Sequence, residues 1–363
     1  MRRASKDALD LLRHPSRLAT LAPQDDEWDN VDRLTIEMIA ADLPAALRVA
    51  LEQMAQGLSR NDAATRAATI SRTYRDGGNS STIKTDSDAL AYALARMPAT
   101  YAAVAASLNA LGEARPDFAP HNLLDAGAGP GTATWAATQA YASLATLNLL
   151  DANTALRALA MQIATASERI IAYEHGDVRS QLAAMPDADL VIASYVIGEL
   201  DAATRTSLAA TLWRKTRDVL LIVEPGTPAG YARIMEVRGQ LIAQGAHVIA
   251  PCPHDRACPL VQPDWCHFVQ RLARSRAHKQ LKGAELPFED EKFIYVALSR
   301  TQPTTRAARV LAQPDISKVA IRAKLCTGDG VALATAPRRD KAAYARFRKL
   351  DWGDTVPSVE GAD

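Results

Sequence analysis

The sequence is poor in aromatic residues and in cysteine, and it contains no long apolar run. Aromatic residues make up 5% of its 363 positions. No apolar segment approaches the roughly 18 residues that a membrane-spanning helix needs, so no membrane partner is expected. The four cysteines all lie in the last third, unlike the framework of a disulfide-rich secreted chain. With 48% hydrophobic and 23% charged residues, the composition is that of a soluble globular protein of one or two domains.

The N-terminus is basic but lacks the apolar core of a secretory signal. Arg13 and Arg17, with few acidic residues before Gln24, keep an organellar transit peptide open, whereas Asp7 and Asp10 count against it. The sequence therefore predicts a cytoplasmic, bacterial location, or the mitochondrial matrix if this segment is a transit peptide.

The charge is unevenly distributed although the net charge is only +1. Residues 251–350 hold 19 Lys and Arg against 9 Asp and Glu. A basic segment of this kind indicates a partner that carries phosphates, with a solvated surface as the alternative. We expect the free chain to be a monomer.

The pattern of apolar residues divides the chain into a helical part and a mixed part. The first 120 residues carry helical stripes, and Pro98 is expected to bend or break the second stripe near Met97. From Asn122, short apolar strands alternate with helices, which predicts an α/β fold with a doubly wound, mostly parallel sheet. The predicted strands are 122–125, 147–150, 170–173, 189–195, 219–223 and 293–298, and the predicted helices between them include 154–167, 202–216 and 231–244.

Three regions are predicted. Residues 1–120 form an N-terminal helical region, and 121–300 form a Rossmann-like domain that contains a Cys-rich insert at 251–267. Residues 301–363 form a basic, β-rich appendage, because two strand-like segments flank an Asp-Gly turn at 327–330.

A glycine-rich loop follows the first predicted strand. Asp125 ends the strand, and Gly127, Gly129 and Gly131 follow at alternate positions before a helix-compatible segment. Glycine lets the backbone approach a ligand closely, and the helix start presents free N–H groups. No Gly-Lys-Ser/Thr follows, which excludes a P-loop, and Thr132 replaces the last glycine of the dinucleotide motif, which disfavours a dehydrogenase. The pattern resembles motif one of the class I S-adenosylmethionine-dependent methyltransferases, whose glycines accommodate the amino-acid part of the cofactor.

Two acidic residues follow the next two predicted strands. Asp151 is 20 residues beyond Gly131, where a carboxylate can accept hydrogen bonds from ribose hydroxyls. Asp177 occupies the place where the methyltransferases read the adenine amino group. The alternative for both is that they cap the helices that follow them.

Residues for the methyl-transfer step itself cannot be assigned. Strand four leads into Ala193–Leu200, which lacks the Asn/Asp-Pro-Pro-aromatic motif of enzymes that methylate exocyclic amines. A cysteine for base-carbon methylation is also missing at the usual place. Tyr195 and Glu199 are the candidates to face the methyl group, although Glu199 also suits a helix N-terminus. The catalytic base stays unknown.

The cysteines cluster in a way that favours metal binding over disulfides. Cys252, Cys258 and Cys266 lie within fifteen residues, two of them in Cys-Pro pairs, and Cys326 follows after a long gap. Thiolates bind zinc or iron–sulfur clusters, and these wide spacings suit a cluster better than a zinc knuckle. His254 and His267 keep a mixed zinc site open, and cysteines without a metal are the remaining alternative.

Together these segments resemble the methyltransferase-like protein 17 family, the Rsm-type assembly factors of the small ribosomal subunit in mitochondria and related bacteria. The segments that carry the resemblance are 91–101, the glycine loop, 193–200, 223–228, the Cys segment through Phe268, and 352–354. The resemblance covers nearly the whole chain after residue 70.

The resemblance implies a four-iron, four-sulfur (4Fe-4S) cluster on Cys252, Cys258, Cys266 and Cys326. It also implies S-adenosylmethionine binding at the glycine loop and binding to the RNA of the small ribosomal subunit. Candidate phosphate contacts are Arg271, Arg274, Arg276, Lys279 and Lys282. Two hypotheses result: an enzyme that methylates ribosomal RNA, and a non-catalytic assembly factor that retains the fold.

Overall fold

The computed structural model describes residues 38–165, 169 and 171–356. The basic N-terminal segment and its candidate transit peptide lie outside the described residues. The chain divides at Arg306 and Ala307 into two compact units. None of the helices in these described ranges is long and apolar enough to cross a membrane.

The larger unit begins with three helices. They are α1 (Ala45–Ala55), α2 (Arg60–Arg75) and α3 (Asp86–Ala114). A reciprocal capping box starts α3, because the Thr85 hydroxyl accepts from the Asp88 amide and the Asp88 carboxylate accepts from the Thr85 amide. Arg66 on α2 pairs with the same Asp88 at 2.6 Å and so joins the two helices.

Helix α3 runs unbroken through Pro98, so of the predicted bend or break near Met97 the break is wrong and the bend stays a prediction. Proline removes one backbone hydrogen bond from a helix, and packing compensates here. Met97 and Ala99 on either side are both fully buried. Leu272 packs against Ala99 and Ala102. Tertiary contacts therefore outweigh the local preference of proline.

The central sheet of the larger unit confirms the predicted fold class. Its strands run in the order β3-β2-β1-β4-β5-β8-β6, with β7 paired to β8. Strands β1 to β5 are all parallel to one another, whereas β8 is antiparallel to β5, β6 and β7. The strands are β1 (Asn122–Ala126), β2 (Thr146–Asp151), β3 (Ile171–His175), β4 (Ala188–Ser194), β5 (Thr216–Pro225), β6 (His247–Ala250), β7 (Phe268–Ala273) and β8 (Phe288–Ser299).

Helices connect successive strands and cover the sheet. They are α4 (Thr132–Ala140), α5 (Thr154–Ala164), α6 (Val178–Gln181), α7 (Ala202–Lys215), α8 (Pro228–Ile242) and α9 (Arg276–Lys282). Single 3₁₀ turns occupy Ser80–Thr82, Leu182–Ala184 and Ile197–Glu199. The middle strands are mostly apolar because both their faces are covered, and Leu123, Val191 and Leu221 are completely buried. The strand order reverses between β1 and β4, where sheets of this kind bind ligands.

The smaller unit is an antiparallel sheet with one helix. Strands β11 and β12 form the predicted hairpin, whose turn lies between Thr327 and Gly330. Its core consists of Val310, Ala323, Leu325 and Ala334. The elements are β9 (Ala308–Val310), β10 (Asp315–Ile316), β11 (Ala320–Thr327), β12 (Gly330–Pro337), α10 (Lys341–Phe347) and β13 (Thr355–Val356).

Candidate functional site

The glycine loop joins β1 to α4 at the point where the strand order reverses. All three glycines have positive φ: 73° at Gly127, 54° at Gly129 and 78° at Gly131. The amides of Gly127 and Ala128 both donate to the carbonyl of Leu150, at 2.8 and 3.1 Å. A Cβ on Gly127 would collide with the side chain of Val196. The loop therefore requires glycine at position 127 for both conformation and space.

Asp125 lies beneath this loop and is completely buried. Its Oδ2 atom accepts from the amide of Thr134 at 3.1 Å and from the Thr134 hydroxyl at 2.7 Å. Its Oδ1 atom has no hydrogen-bond partner. Burial raises the pKa of Asp125 to about 7. The observed contacts of Asp125 thus hold the first turn of α4.

Asp151 ends β2 and supports the loop from the side. Its Oδ2 atom accepts from the Gly129 amide at 2.9 Å, and its Oδ1 atom accepts from the Asn153 amide at 2.7 Å. Burial raises the pKa of this carboxyl. The Tyr173 hydroxyl donates to the Gly129 carbonyl at 2.6 Å, so both polar backbone groups of Gly129 are bound. No motif or spacing in the sequence indicates this role of Tyr173.

Asp177 follows β3 and caps α6, which is the alternative role predicted for it. Its carboxylate accepts from the Arg179 amide at 2.8 Å and also pairs with the Arg179 guanidinium. This guanidinium lowers the pKa of Asp177. A role of Asp177 toward adenine stays a prediction.

The segment before α3 is attached to the same edge of the sheet. The Asn153 side-chain amide donates to the carbonyls of Ser80 and Ile83 at 2.8 and 3.0 Å. Glu199 lies beside Ser80 and Tyr74, and burial raises the pKa of Glu199 to about 7. Residues 80–83 therefore pack against Asn153, two residues after Asp151.

Tyr195, which follows β4, is half-buried, and its hydroxyl is bound within the protein. Its φ is 59°, and among the described residues it is the one non-glycine residue with positive φ. The Tyr195 hydroxyl donates to Glu291 Oε1 at 2.9 Å, and Arg96 donates to the same oxygen at 3.3 Å. Backbone strain of this kind persists only where the surroundings enforce it.

Glu224 ends β5 and holds the turn after Tyr195. The carboxylate is buried and accepts from the amide of Gly198 at 3.3 Å. Arg233 lies 3.8 Å from its Oε2 atom, and burial raises the pKa of Glu224 to about 7. A Cβ on Gly198 would lie 2.8 Å from the Glu224 carboxylate and 3.2 Å from the Arg233 guanidinium.

Three of the four predicted metal ligands lie in the neighbourhood of one tyrosine. Cys258, Cys252 and Cys266 all act electrostatically on Tyr231 and raise its pKa together with burial, which has the largest effect. Cys252 and Cys266 are buried and Cys258 is half-buried, and none of them forms a disulfide. The fourth, Cys326, is a buried thiol on β11 of the smaller unit. No group of three or more Cys, His, Asp or Glu side chains in the described ranges is arranged to hold a metal ion.

The two histidines of the Cys segment have other contacts. The carbonyl of His254 accepts from Arg238 at 2.6 Å. The ring of His267 stacks on Trp265 with 5.1 Å between the centroids. Burial lowers the pKa of both imidazoles, which keeps them neutral.

Several predicted phosphate contacts already pair with carboxylates of β8. Arg271 lies 2.7 Å from Asp290, and Glu289 pairs with Arg274 at 3.3 Å and with Lys282 at 2.7 Å. The side chain of Arg276 lies outside the described part. Exposed basic residues are more densely spaced along the smaller unit, where they include Lys318, Arg322, Arg338, Arg339, Lys341, Arg348 and Lys349.

The strand order, the reversed β8 and the glycine loop after β1 define a class I, Rossmann-like methyltransferase fold. The chain belongs to the family described as mitochondrial small ribosomal subunit Rsm22, whose profile matches residues 86–357. The resemblance found in the sequence is thereby confirmed.

Two relatives of known name are similar to this chain in sequence. The chain is 32% identical over 295 residues to the human mitochondrial ribosome assembly protein METTL17, an alignment that covers 75% of this chain and 63% of the relative. It is 22% identical to the mitochondrial Rsm22-cox11 tandem protein 2 of Schizosaccharomyces pombe, over 80% of this chain and 46% of the relative. The chain thus spans about half to two thirds of these relatives.

Solved structures with a related arrangement are more distant. The magnesium protoporphyrin IX methyltransferase of Synechocystis, solved with S-adenosylhomocysteine, has a TM-score of 0.39 and 11% identity, and the match covers 70% of this chain and all of that one. The N-methyltransferase NodS of Bradyrhizobium japonicum has a TM-score of 0.35 and 12% identity, over 52% and 83% of the two chains.

Proposed function

We propose that the chain binds S-adenosylmethionine and acts on small ribosomal subunit RNA during ribosome assembly. The observation that carries the cofactor proposal is the bond between Asp151 and Gly129 at the point where the strand order reverses. It places a carboxylate beside a loop that needs glycine, at the carboxyl ends of two adjacent strands.

Different residues at this edge of the sheet would bind different parts of the cofactor. The glycine loop allows close approach of the amino-acid part, and the α4 start offers backbone amides. Each oxygen of Asp151 accepts one backbone hydrogen bond and keeps capacity for a ribose hydroxyl. Asp177 would have to accept the adenine amino group beside Arg179. When bound, the cofactor supplies a methyl group for transfer to a nucleophile.

The ribosomal part of the proposal rests on the family. The human relative is named as a ribosome assembly protein, and both relatives above are named as mitochondrial. These names support the mitochondrial matrix as the place of action and give no support to the cytoplasmic alternative. The exposed basic residues of the smaller unit are the proposed contacts to RNA phosphates.

We also propose that the cysteines hold a 4Fe-4S cluster, with zinc as the lesser alternative. The donor chemistry fits, because three cysteines outside any disulfide lie near one another in the sequence and all act electrostatically on Tyr231. A single ion needs all its donors within about 2.3 Å of one point, whereas the thiolates of a cluster bind different irons and lie further apart. Cys326 is the fourth ligand by family resemblance. When bound, the cluster would supply electron transfer or folding energy.

A second candidate function is assembly without methyl transfer. Tyr195 occupies the place after β4 from which amine methyltransferases orient the acceptor. Its hydroxyl donates to Glu291, which also accepts from Arg96, so the hydroxyl is already bound within the protein. The observation favours a protein that uses the fold to bind.

The Gly129→Arg variant separates the two functions. Its side chain would enter the space proposed for the cofactor, so loss of S-adenosylmethionine binding is expected by calorimetry. Ribosomal RNA methylation is then mapped in cells that carry either form. An unchanged methylation map together with an assembly defect would overturn the enzyme hypothesis and leave the assembly-factor hypothesis.

The metal proposal has its own test. Anaerobically purified protein is expected to be brown, with iron and sulfide in equal amounts, and colourless protein with stoichiometric zinc would reverse this assignment.

A further inference from the structure

Asn153 fastens the N-terminal helical region to the edge of the sheet at which the cofactor is proposed to bind. Its side-chain oxygen accepts from the Leu156 amide at 3.0 Å and so caps α5. Its side-chain nitrogen donates to the carbonyls of Ser80 and Ile83, at 2.8 and 3.0 Å. A side-chain amide has two N–H donors, so one short segment of the chain binds both of them.

Hydrogen bonds continue from Asn153 to the glycine loop. The backbone amide of Asn153 donates to Asp151 Oδ1 at 2.7 Å, and the Gly129 amide donates to Asp151 Oδ2 at 2.9 Å. One carboxylate thus binds the loop with one oxygen and Asn153 with the other. Residues 80–83, Asn153, Asp151 and the glycine loop are therefore joined into one connected unit.

Helix α3 starts three residues after Ile83, and it is fastened again on the other side of the glycine loop. Arg96 donates to Glu291 at 3.3 Å, beyond the carboxyl end of β5, and Tyr195 after β4 donates to the same oxygen at 2.9 Å. From Asp86 to Arg96 a helix rises about 15 Å. Three strand spacings, from β2 to β5, amount to roughly 14 Å. The first turns of α3 therefore lie across the carboxyl ends of β1 and β4.

The donor end of Asn153 has a role that the cap of α5 does not require. A helix cap needs an oxygen acceptor, which serine or aspartate supplies as well as asparagine does. Neither of those side chains could donate to two carbonyls at once. The contact with residues 80–83 is thus separable from the cap by substitution.

We propose that Asn153 is a positioning residue of the cofactor site, which fastens residues 80–83 beside Asp151 so that the start of α3 covers bound S-adenosylmethionine and slows its release. This inference rests on the proposed cofactor binding. It gives the N-terminal helical region a part in retaining the ligand that the glycine motif does not reveal.

The test measures how fast radiolabelled S-adenosylmethionine leaves the full-length chain when excess unlabelled cofactor is added. In Asn153→Ser we expect dissociation to be about tenfold faster, the effect of roughly two lost hydrogen bonds. Asn153→Asp, which also keeps the cap, should behave in the same way. Asn79→Ser is the matched control, because Asn79 is exposed and caps the neighbouring 3₁₀ turn through its side-chain oxygen. The control should leave the rate unchanged.

Amide hydrogen exchange of residues 79–83 gives a second measurement. S-adenosylmethionine should slow this exchange in the wild type and in Asn79→Ser, but not in Asn153→Ser. Equal dissociation rates in wild type and Asn153→Ser would overturn the role of Asn153 and leave cofactor binding intact. A lower free energy of unfolding with an unchanged dissociation rate would show a purely structural role and would overturn it too. A wild-type chain that does not bind S-adenosylmethionine would instead overturn the cofactor proposal, and this role with it.

Discussion

The amide of Gly129 donates to the carboxylate of Asp151 across 2.9 Å, and this bond joins two features that the sequence separates by 22 residues. The loop proposed to receive the amino-acid part of the cofactor is therefore supported by the carboxylate proposed to receive its ribose. Ligand binding and loop conformation depend on the same side chain.

Replacement of Asp151 should affect the cofactor more than replacement of Asp177. In Asp151→Ala, both the ribose acceptor and the loop support disappear, and we expect at least a tenfold loss of S-adenosylmethionine affinity, about 1.4 kcal/mol. Asp177→Ala removes a helix cap, which should lower the free energy of unfolding by about 1 kcal/mol with a smaller effect on binding. Calorimetry measures both affinities, and equal losses would contradict the assignment of ribose to Asp151.

The glycine loop should tolerate no side chain at position 127. Gly127→Ala combines a positive φ with a collision against Val196, and we expect a loss of about 1–3 kcal/mol in the free energy of unfolding. Gly239→Ala in α8 is the matched control, since a Cβ at that position would have no neighbouring atom within 4 Å. The control should gain about 0.4–1 kcal/mol. Urea unfolding measures the free energy of unfolding of the two variants. An unchanged free energy of unfolding in Gly127→Ala would contradict the requirement for glycine at this position.

Asp125 should make stability fall as the pH rises. Its pKa is about 7 in the folded chain, against about 4 in an unfolded one. Between these values the folded state holds a proton that the unfolded state has released, so the contribution present at low pH is lost as the pH approaches 7.

Asp125→Asn isolates this effect from other groups that titrate in the same range. Glu199 and Glu224, whose pKa values are also raised to about 7, contribute with the same sign. His278, whose pKa burial lowers to about 4, contributes with the opposite sign. The difference in unfolding free energy between wild type and variant should shrink with rising pH, by at most about 1.4 kcal/mol per pH unit. A difference independent of pH between 4 and 8 would contradict the prediction.

RNA binding should depend on the exposed basic residues of the smaller unit. The double variant Arg338→Glu, Arg339→Glu is expected to weaken binding of small-subunit RNA and to reduce its salt dependence by about one unit of slope for each phosphate that is no longer bound. Lys282→Gln is the control, because Lys282 is bound to Glu289 at 2.7 Å and should contribute little. Filter binding at several salt concentrations gives the slopes, and equal slopes for both variants would place the RNA elsewhere.

The sequence predicts the strands of the sheet well where apolar runs are bounded by glycine, proline or acidic residues. It misses β6 and β7. The first has only four residues and ends against Pro251, and the second has two polar residues, Gln270 and Arg271, between apolar pairs, so it shows neither an apolar run nor a period of two. The helix break predicted at Pro98 is absent because packing that forms only in the folded chain outweighs the tendency of proline to interrupt a helix.

The site is less predictable than the fold because its contacts join distant parts of the chain. Asn153 meets Ser80 across 73 residues, and Tyr195 meets Glu291 across 96. Glu291 lies in an acidic run that looks like a solvated surface, yet it is buried. A sequence motif consists of residues that are close together in the sequence. The glycine loop can therefore be predicted, whereas the distant partners of Asn153 and Tyr195 cannot.

Gly198 has a consequence for how this protein can change during evolution. It rests so closely on Glu224 and Arg233 that the first atom of any side chain there would press on both. A substitution at position 198 therefore requires the ends of the Glu224 and Arg233 side chains to shift, and its cost depends on which residues occupy positions 224 and 233. Effects at such positions are not additive. The three residues form an epistatic set, in which the order of mutations decides which sequences natural selection can reach.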